Sequence, residues 1–240
     1  MTEIESQVRV EPTTKNPQKT RVLMTEFVTH DVKRFVVEKP TGYEYIPGQA
    51  NLVALDKEEW RDEFRPFTFT SLNEDLVLEF TIKGYPGHEG VTDRLHNLKA
   101  GDEVIIHESF GTIVYQGPGY FLAAGAGVTP FIAITRHLRE HDKLNGNSLI
   151  FTNKRAEDVI LEKEFRNMFG DDLVLTLTEE ERSGYEHGRI DKDFLADRID
   201  MDKYFYICGP DGFVKDVRSS LIELGVDEDK IVVEKLIFMD

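Results

Sequence analysis

The sequence predicts two domains, an antiparallel β-barrel followed by an α/β doubly wound parallel sheet. Three observations carry this: a succession of short strands as far as about Tyr115, a Gly117-Pro118-Gly119 break, and regular alternation of strand and helix beyond it. At 240 residues the chain is long enough for two domains of ordinary size. The expected partition is a mobile tail over 1–19, the barrel over 20–116 and the α/β domain over 117–240.

In the first half, alternating or apolar runs at 22–28, 34–37, 51–55, 67–71, 76–82 and 103–107 read as strands. Turn signals such as Pro47-Gly48 and Ala100-Gly101-Asp102 bound them, and this even spacing is that of a small barrel. One helix interrupts the series at 92–98, with Thr92 placed as its N-cap. In the second half, strands at 120–123, 148–153, 174–178, 204–208 and 231–233 alternate with helices at 130–140, 161–169, 192–198 and 212–224. Ligands of such a sheet bind at the carboxyl ends of its strands, where Gly125, Asn153, Glu179 and Cys208 fall.

Composition narrows the function. Hydrophobic residues at 40% and charged residues at 31% describe a soluble globular chain, and no apolar run is long enough to span a membrane. The first residues lack the apolar core of a signal peptide, so a cytoplasmic location is expected. A single cysteine rules out an internal disulfide and any cluster or zinc site held by several thiolates of these residues, so a redox centre has to be an organic cofactor. A net charge of −16 disfavours nucleic acid as a partner.

Two stretches carry chemistry. FLAAGAGVTPFIAI, residues 121–134, places a Gly-x-Gly corner between a strand and a helix, with Pro130 suited to the first helical turn. It lacks the third glycine or alanine of a Rossmann fingerprint and the Lys-Ser or Lys-Thr of a P-loop. Such a corner lets backbone N–H groups approach a phosphate, or serves simply as a tight turn against the sheet. RPFTFTS, residues 65–71, starts a strand at Arg65 and leaves a guanidinium fork at its edge, a group suited to pyrophosphate. Phe67, Phe69 and Ser71 share one face of that strand and Thr68 and Thr70 the other, a pattern that an amphipathic strand with core phenylalanines and solvated threonines also produces.

Taken in order, RPFT, the Gly90-Val91-Thr92 helix start, AGAGVTP and YICGPDGF resemble the ferredoxin-NADP reductase family, which includes flavodoxin reductases and oxygenase reductase components. The resemblance runs from Thr20 to Glu234. It implies that Arg65 grips the pyrophosphate of FAD, that Phe67 stacks on the flavin, and that the Thr68 hydroxyl lies near flavin N5. It also places Lys83 along the flavin edge and Gly90, Val91 and Thr92 at the FAD phosphates. Gly125, Gly127, Val128, Thr129 and Pro130 resemble the loop that receives a nicotinamide dinucleotide. Cys208, Gly209 and Pro210 resemble the segment near the nicotinamide, and Glu234 the acidic residue near the flavin. Thr68, Cys208 and Glu234 are then the candidate catalytic residues. A flat apolar partner and a hydroxyl beside Arg65 are what a flavin needs, whereas Cys208 and Glu234 also read as a small core residue and a solvated strand-end charge.

The sequence departs from the family in two places. Phe67 stands where the family has Tyr, which keeps the stacking and loses a hydrogen bond. The chain continues past Glu234 as KLIFMD instead of ending on a Tyr, with Phe238 the candidate to cover the flavin.

The resemblance implies an enzyme that takes hydride from NADH or NADPH and passes electrons to a ferredoxin, flavodoxin, oxygenase, quinone or other small acceptor. A dinucleotide-binding sensor and a reductase of free flavin are its rivals. Glu179, where NADP-using members carry Arg, favours NADH, and Lys154 and Arg155 oppose this unless their side chains point to solvent. HLREH, residues 137–141, matches a metalloprotease pattern, but no third ligand accompanies it and no metal is expected.

Overall fold

The computed structural model describes residues 14–85, 87, 90–111 and 113–234. The chain divides into two units, one formed up to Val114 and the other by Tyr115 to Glu234, with Ile132–Ile134 grouped with the first.

The first unit holds strands β1 (Gln18–Phe27), β2 (Val32–Glu38), β3 (Ala50–Leu55), β4 (Arg65–Thr68), β5 (Val77–Lys83) and β6 (Glu103–Ile106), with helix α1 (Val91–His96) between the last two. They form a sheet of order β4-β3-β6-β1-β2-β5 in which each neighbouring pair is antiparallel. An antiparallel bridge between Phe69 and Phe80 brings the two edges together, so the sheet is nearly closed. Inward-facing Phe35, Val53, Phe69, Leu78, Phe80 and Ile106 fill it. Strand β1 begins at Gln18, inside the stretch expected to be a mobile tail: Gln18 and Lys19 pair with Ile106 and Ile105, and Lys19 also forms an ion pair with Asp56 at 2.5 Å.

The second unit is a parallel sheet. Strands β7 (Gly119–Ala124), β8 (Ser148–Asn153), β9 (Leu173–Leu177), β10 (Glu186–His187), β11 (Tyr204–Cys208) and β12 (Ile231–Val233) lie in the order β10-β9-β8-β7-β11-β12. Helices α2 (Thr129–Glu140) and α3 (Glu162–Phe169) cover one face, where Phe131 meets Phe121 and Phe165 meets Phe151. Helices α4 (Lys192–Ala196) and α5 (Asp211–Glu223) cover the other with Leu195, Val217 and Leu221. The chain steps outward from β7 to β10, then returns to lay β11 on the opposite side of β7. The order therefore reverses between β7 and β11, and in open α/β sheets this switch point is where ligands bind.

Candidate functional site

In the barrel unit the expected residues gather on and around β4. The strand pairs with β3 through Val53–Arg65, Asn51–Phe67 and Ala50–Thr68. Arg65 is half-exposed. Its Nη1 donates to the carbonyl of Phe64 at 2.6 Å and lies 3.7 Å from exposed Glu63, a solvent-screened pair that holds the guanidinium only weakly. Most of the fork stays available to a phosphate. Phe67 is half-buried, one side packed on the barrel core, and partly exposed Thr68 has no side-chain hydrogen bond among the described residues.

The alternative of a strand with solvated threonines does not hold at Thr70. The chain leaves β4 after Thr68 and turns inward, where Phe69 stacks on Tyr45 with ring centroids 4.1 Å apart. Thr70 is fully buried and donates to Glu79 Oε1 at 2.9 Å.

Helix α1 is corrected at its start. Gly90, extended at φ −89° and ψ −176°, is the N-cap, and Thr92 is the second helical residue. Among the described residues no side chain caps this end, which leaves its first N–H groups open to solvent or a ligand. The far end is held from behind: buried Lys33 donates from Nζ to the carbonyls of His96 at 2.9 Å and Leu98 at 3.1 Å. Burial lowers the Lys33 pKa, with Lys99 adding to the effect. The only trace of this brace in the sequence is a lysine on an otherwise apolar strand face. Lys83 is also engaged, by Asp31 at 2.8 Å. Burial pushes the Asp31 carboxyl up, but the hydrogen bond and charge of Lys83 outweigh it and hold the group below the usual carboxylate range.

In the α/β unit the glycine corner lies at the switch point. Gly125–Val128 forms a 3-10 turn that runs directly into α2, and Pro130 occupies the first turn of that helix. Gly125 adopts φ +52°, a left-handed conformation that glycine enters without strain, and a side chain there would meet open space. Gly127 is required for a different reason: a Cβ would collide with the carbonyl of Cys208 and the Cα of Gly209, so the corner rests on the end of β11. Val128 is buried beneath it. Thr129 Oγ1 donates to Ala126 O at 3.0 Å, and no side chain caps the turn or the helix. The result is a backbone cradle of uncapped N–H groups of the kind that holds phosphates.

Pairing of Ile207 with Val233 makes Cys208 and Glu234 neighbours at the carboxyl ends of β11 and β12. Burial raises the Glu234 carboxyl above the usual range; burial, with Glu234 adding to it, pushes the Cys208 thiol up. The thiol is therefore protonated at neutral pH. Gly209 packs closely on Phe213 and Ala124, and exposed Pro210 is the N-cap of α5.

At the other side of the corner, Asn153 is buried with neither amide atom hydrogen-bonded among the described residues, and the hydroxyls of Thr152 and Thr176 share that condition. Polar groups in this state are satisfied by water or ligand atoms. Glu179 follows β9, its N–H donating to the Lys154 carbonyl at 2.9 Å. Lys154 is largely exposed to solvent, yet its Nζ lies 3.0 Å from the Glu179 carboxylate. Lys154 thus neutralises part of the charge that Glu179 presents. A brace missed in the sequence holds the next loop, where Tyr185 donates to Glu162 at 2.7 Å and Arg166 binds the same carboxylate at 2.6 Å. At the end of helix α2, the rings of His137 and of the C-cap His141 lie 4.2 Å apart and tilted by 36°, and no group of three metal-binding side chains occurs among the described residues. Phe238 and the KLIFMD segment after Glu234, from Lys235 onward, lie outside the described residues.

Residues 121–219 match the family model for the oxidoreductase NAD-binding domain. The FAD/NAD-binding domain of a Vibrio cholerae nitric oxide dioxygenase superposes with a TM-score of 0.80 at 24% identity, over 90% of this chain and 97% of that one. The chain has the ferredoxin-NADP reductase-like fold. Among curated relatives, the reductase component of the naphthalene 1,2-dioxygenase system of Pseudomonas putida is 23% identical over 88% of this chain. NADH-cytochrome b5 reductase 2 of Rattus norvegicus is 26% identical over 86% of this chain and 90% of its own length. The chain spans 66% of the Pseudomonas protein and 58% and 46% of two further relatives. The reductase-like fold also accounts for the order of the two units, a nearly closed antiparallel sheet before a parallel one.

Proposed function

We propose that the protein is an FAD-dependent oxidoreductase that takes hydride from NADH and passes electrons to a separate acceptor. The observation that carries this reading is the run Arg65-Phe67-Thr68 on strand β4: an open guanidinium fork, a half-buried aromatic face and a hydroxyl with no hydrogen bond among the described residues, in that order. These are the phosphate, ring and N5 partners that FAD requires. Bound FAD would supply the acceptance of hydride and its release as electrons.

The remaining work falls to the chain. Arg65 and the uncapped N–H groups after Gly90 would hold the pyrophosphate, with Lys33 fixing the helix that carries them. Phe67 would orient the ring and Thr68 would donate a hydrogen bond near N5. Asp31 partners Lys83, so Lys83 would act through that pair rather than as a free cation. In the second unit, the Gly125–Val128 cradle with Thr129 and Pro130 would seat the nucleotide pyrophosphate. Cys208, Gly209 and Pro210 would border the nicotinamide, and protonated Cys208 would present a neutral surface to it. Asn153 and Glu179 would lie toward the adenosine end. Glu179 favours NADH over NADPH, by a margin that its Lys154 partner reduces.

The names of the relatives support an acceptor that is a small redox protein or an oxygenase component, with quinones and other small molecules as the alternative class. The test is cofactor release: the purified protein should be yellow and liberate FAD, not FMN, on denaturation. A colourless protein that also fails to take up added FAD would refute the reading.

A further inference from the structure

Three consecutive glutamates, Glu179, Glu180 and Glu181, follow β9 and read alike in the sequence. In the structure they differ. Glu179 and Glu181 are exposed, whereas Glu180 is half-buried, and its Oε2 accepts from the N–H of Ala156 at 2.9 Å. Ala156 opens the 3-10 turn Ala156–Asp158 after β8, and the first N–H of such a turn has no partner within the turn itself. Glu180 therefore caps it from another segment of the chain.

This bond continues a ladder. Strands β8 and β9 end at Asn153 and Leu177, yet the pairing runs on: the Thr178 N–H donates to the Asn153 carbonyl at 3.0 Å and the Glu179 N–H to the Lys154 carbonyl at 2.9 Å. The Glu180 carboxylate then takes the place of the backbone as the next partner across. Glu179 is thus held on both sides, by its own N–H and by the side chain of the residue after it, while its carboxylate meets Lys154 Nζ at 3.0 Å. The far end of the loop is fastened separately. Tyr185 donates to Glu162 at 2.7 Å, Arg166 Nη2 donates to the Gly184 carbonyl at 3.1 Å, and His187 Nδ1 donates to the Glu180 carbonyl at 3.1 Å.

We propose that Glu180 is a positioning residue for the choice between NADH and NADPH: by holding the Ala156 N–H, its carboxylate fixes the direction in which Glu179 presents its charge. This inference rests on the reading that Glu179 lies toward the adenosine end of the nucleotide. The Glu180 carboxylate is itself engaged, by the Ala156 N–H and by Arg182 at 3.7 Å, so it acts through Glu179 rather than on the nucleotide. A hydrogen bond from a backbone N–H to a carboxylate is among the stronger contacts a loop can make, and the N–H satisfied here belongs to buried Ala156. Without it the near end of the loop is released while the far end stays fastened, and the Glu179 charge is spread over positions that a 2'-phosphate does not meet.

The test compares three variants of the full-length protein by their dissociation constants for NAD+ and NADP+ and by amide hydrogen exchange. The oxidised nucleotides carry the same adenosine end and bind without hydride transfer. Glu180→Ala removes charge and acceptor together, Glu180→Asp keeps the charge on a side chain one methylene shorter, and Glu180→Gln keeps an acceptor without the charge. Glu180→Ala and Glu180→Asp should each lower the preference for NAD+ by about fivefold, the weight of one exposed charge about 4 Å from a phosphate in water, and Glu180→Gln should stay within about twofold of wild type. Exchange of the Ala156 amide should rise by about tenfold or more in the first two and stay near wild type in the third. A shift in Glu180→Gln equal to that in Glu180→Ala would show that the Glu180 charge itself discriminates, and would overturn the proposal. Unchanged Ala156 exchange in Glu180→Ala, or faster exchange with an unchanged preference, would overturn it too. If Glu180→Ala fails to fold, the contrast between Glu180→Asp and Glu180→Gln decides on the same terms. Because binding is what is measured, a flavin that neither NADH nor NADPH reduces would defeat the electron-transfer reading and leave this test intact. A wild-type protein that binds neither nucleotide would remove the nucleotide-binding reading, and the role of Glu180 with it.

Discussion

Removing the Lys154 ammonium should sharpen the preference for NADH over NADPH. Lys154 Nζ lies 3.0 Å from the Glu179 carboxylate, and side-chain exposures of 72% and 47% leave both groups in largely aqueous surroundings. A phosphate about 4 Å from one unit charge in water feels about 1 kcal/mol, rising to about 4 kcal/mol at the screening typical of a protein surface. With both groups this exposed the lower figure applies, and it corresponds to about fivefold in kcat/KM. Lys154→Ala should therefore raise the ratio of kcat/KM for NADH to that for NADPH by about fivefold. Glu179→Arg, which changes the local charge by two, should lower it by about 25-fold. Both shifts should shrink as salt is raised from millimolar to molar concentrations, because the Debye length then falls from tens of ångströms to about 3 Å. Steady-state kinetics with both nucleotides provides the assay. A Lys154→Ala protein with an unchanged ratio, or one shifted toward NADPH, would show that this pair does not face the 2' position.

Arg65→Ala should weaken FAD retention by about tenfold to hundredfold, the weight of a charge-assisted phosphate contact, while Thr68→Ala should slow flavin reduction and leave retention intact; equilibrium dialysis and rapid mixing separate the two. Glu234 has a folded-state pKa raised by burial, so its contribution to stability is complete below the ordinary glutamate value of about 4.3 and is lost as pH rises through the raised value. Urea midpoints should fall across that window, and Glu234→Gln should flatten the fall. With a net charge of −16, kcat/KM toward a cationic redox protein should drop by about tenfold between low and moderate salt, whereas that toward an acidic ferredoxin should rise.

Most of the fold was legible because it rests on periodicity. Strands β3 and β8 are marked by apolar runs, and the glycines of the corner mark where β7 ends. The features that escaped have no side-chain signature. Gln18 and Lys19 extend β1 through backbone pairing while their side chains stay exposed, and the two exposed residues of β10 show no alternation at all. Thr92 has the right chemistry for an N-cap, but the N-cap is Gly90, whose conformation the sequence does not specify.

Within the candidate site, residue types at Arg65, Phe67 and Gly127 were readable from motif order. Contacts between distant segments were not. Lys83 met Asp31, Lys154 met Glu179 and Lys33 met the end of α1 only once the chain was folded, and each contact changes the charge those residues present. The same holds for Tyr206, which in sequence is one more apolar-strand aromatic and in the structure accepts from the N–H groups of Gln116 and Gly117.

Anaerobic addition of NADH to the FAD-loaded protein tests the central claim most directly. If Arg65, Phe67 and Thr68 hold a flavin that the nucleotide-binding unit serves, the visible flavin absorbance should bleach with one equivalent of NADH, and added acceptor should restore it. Bound FAD that stays oxidised in the presence of excess NADH and excess NADPH would contradict the account.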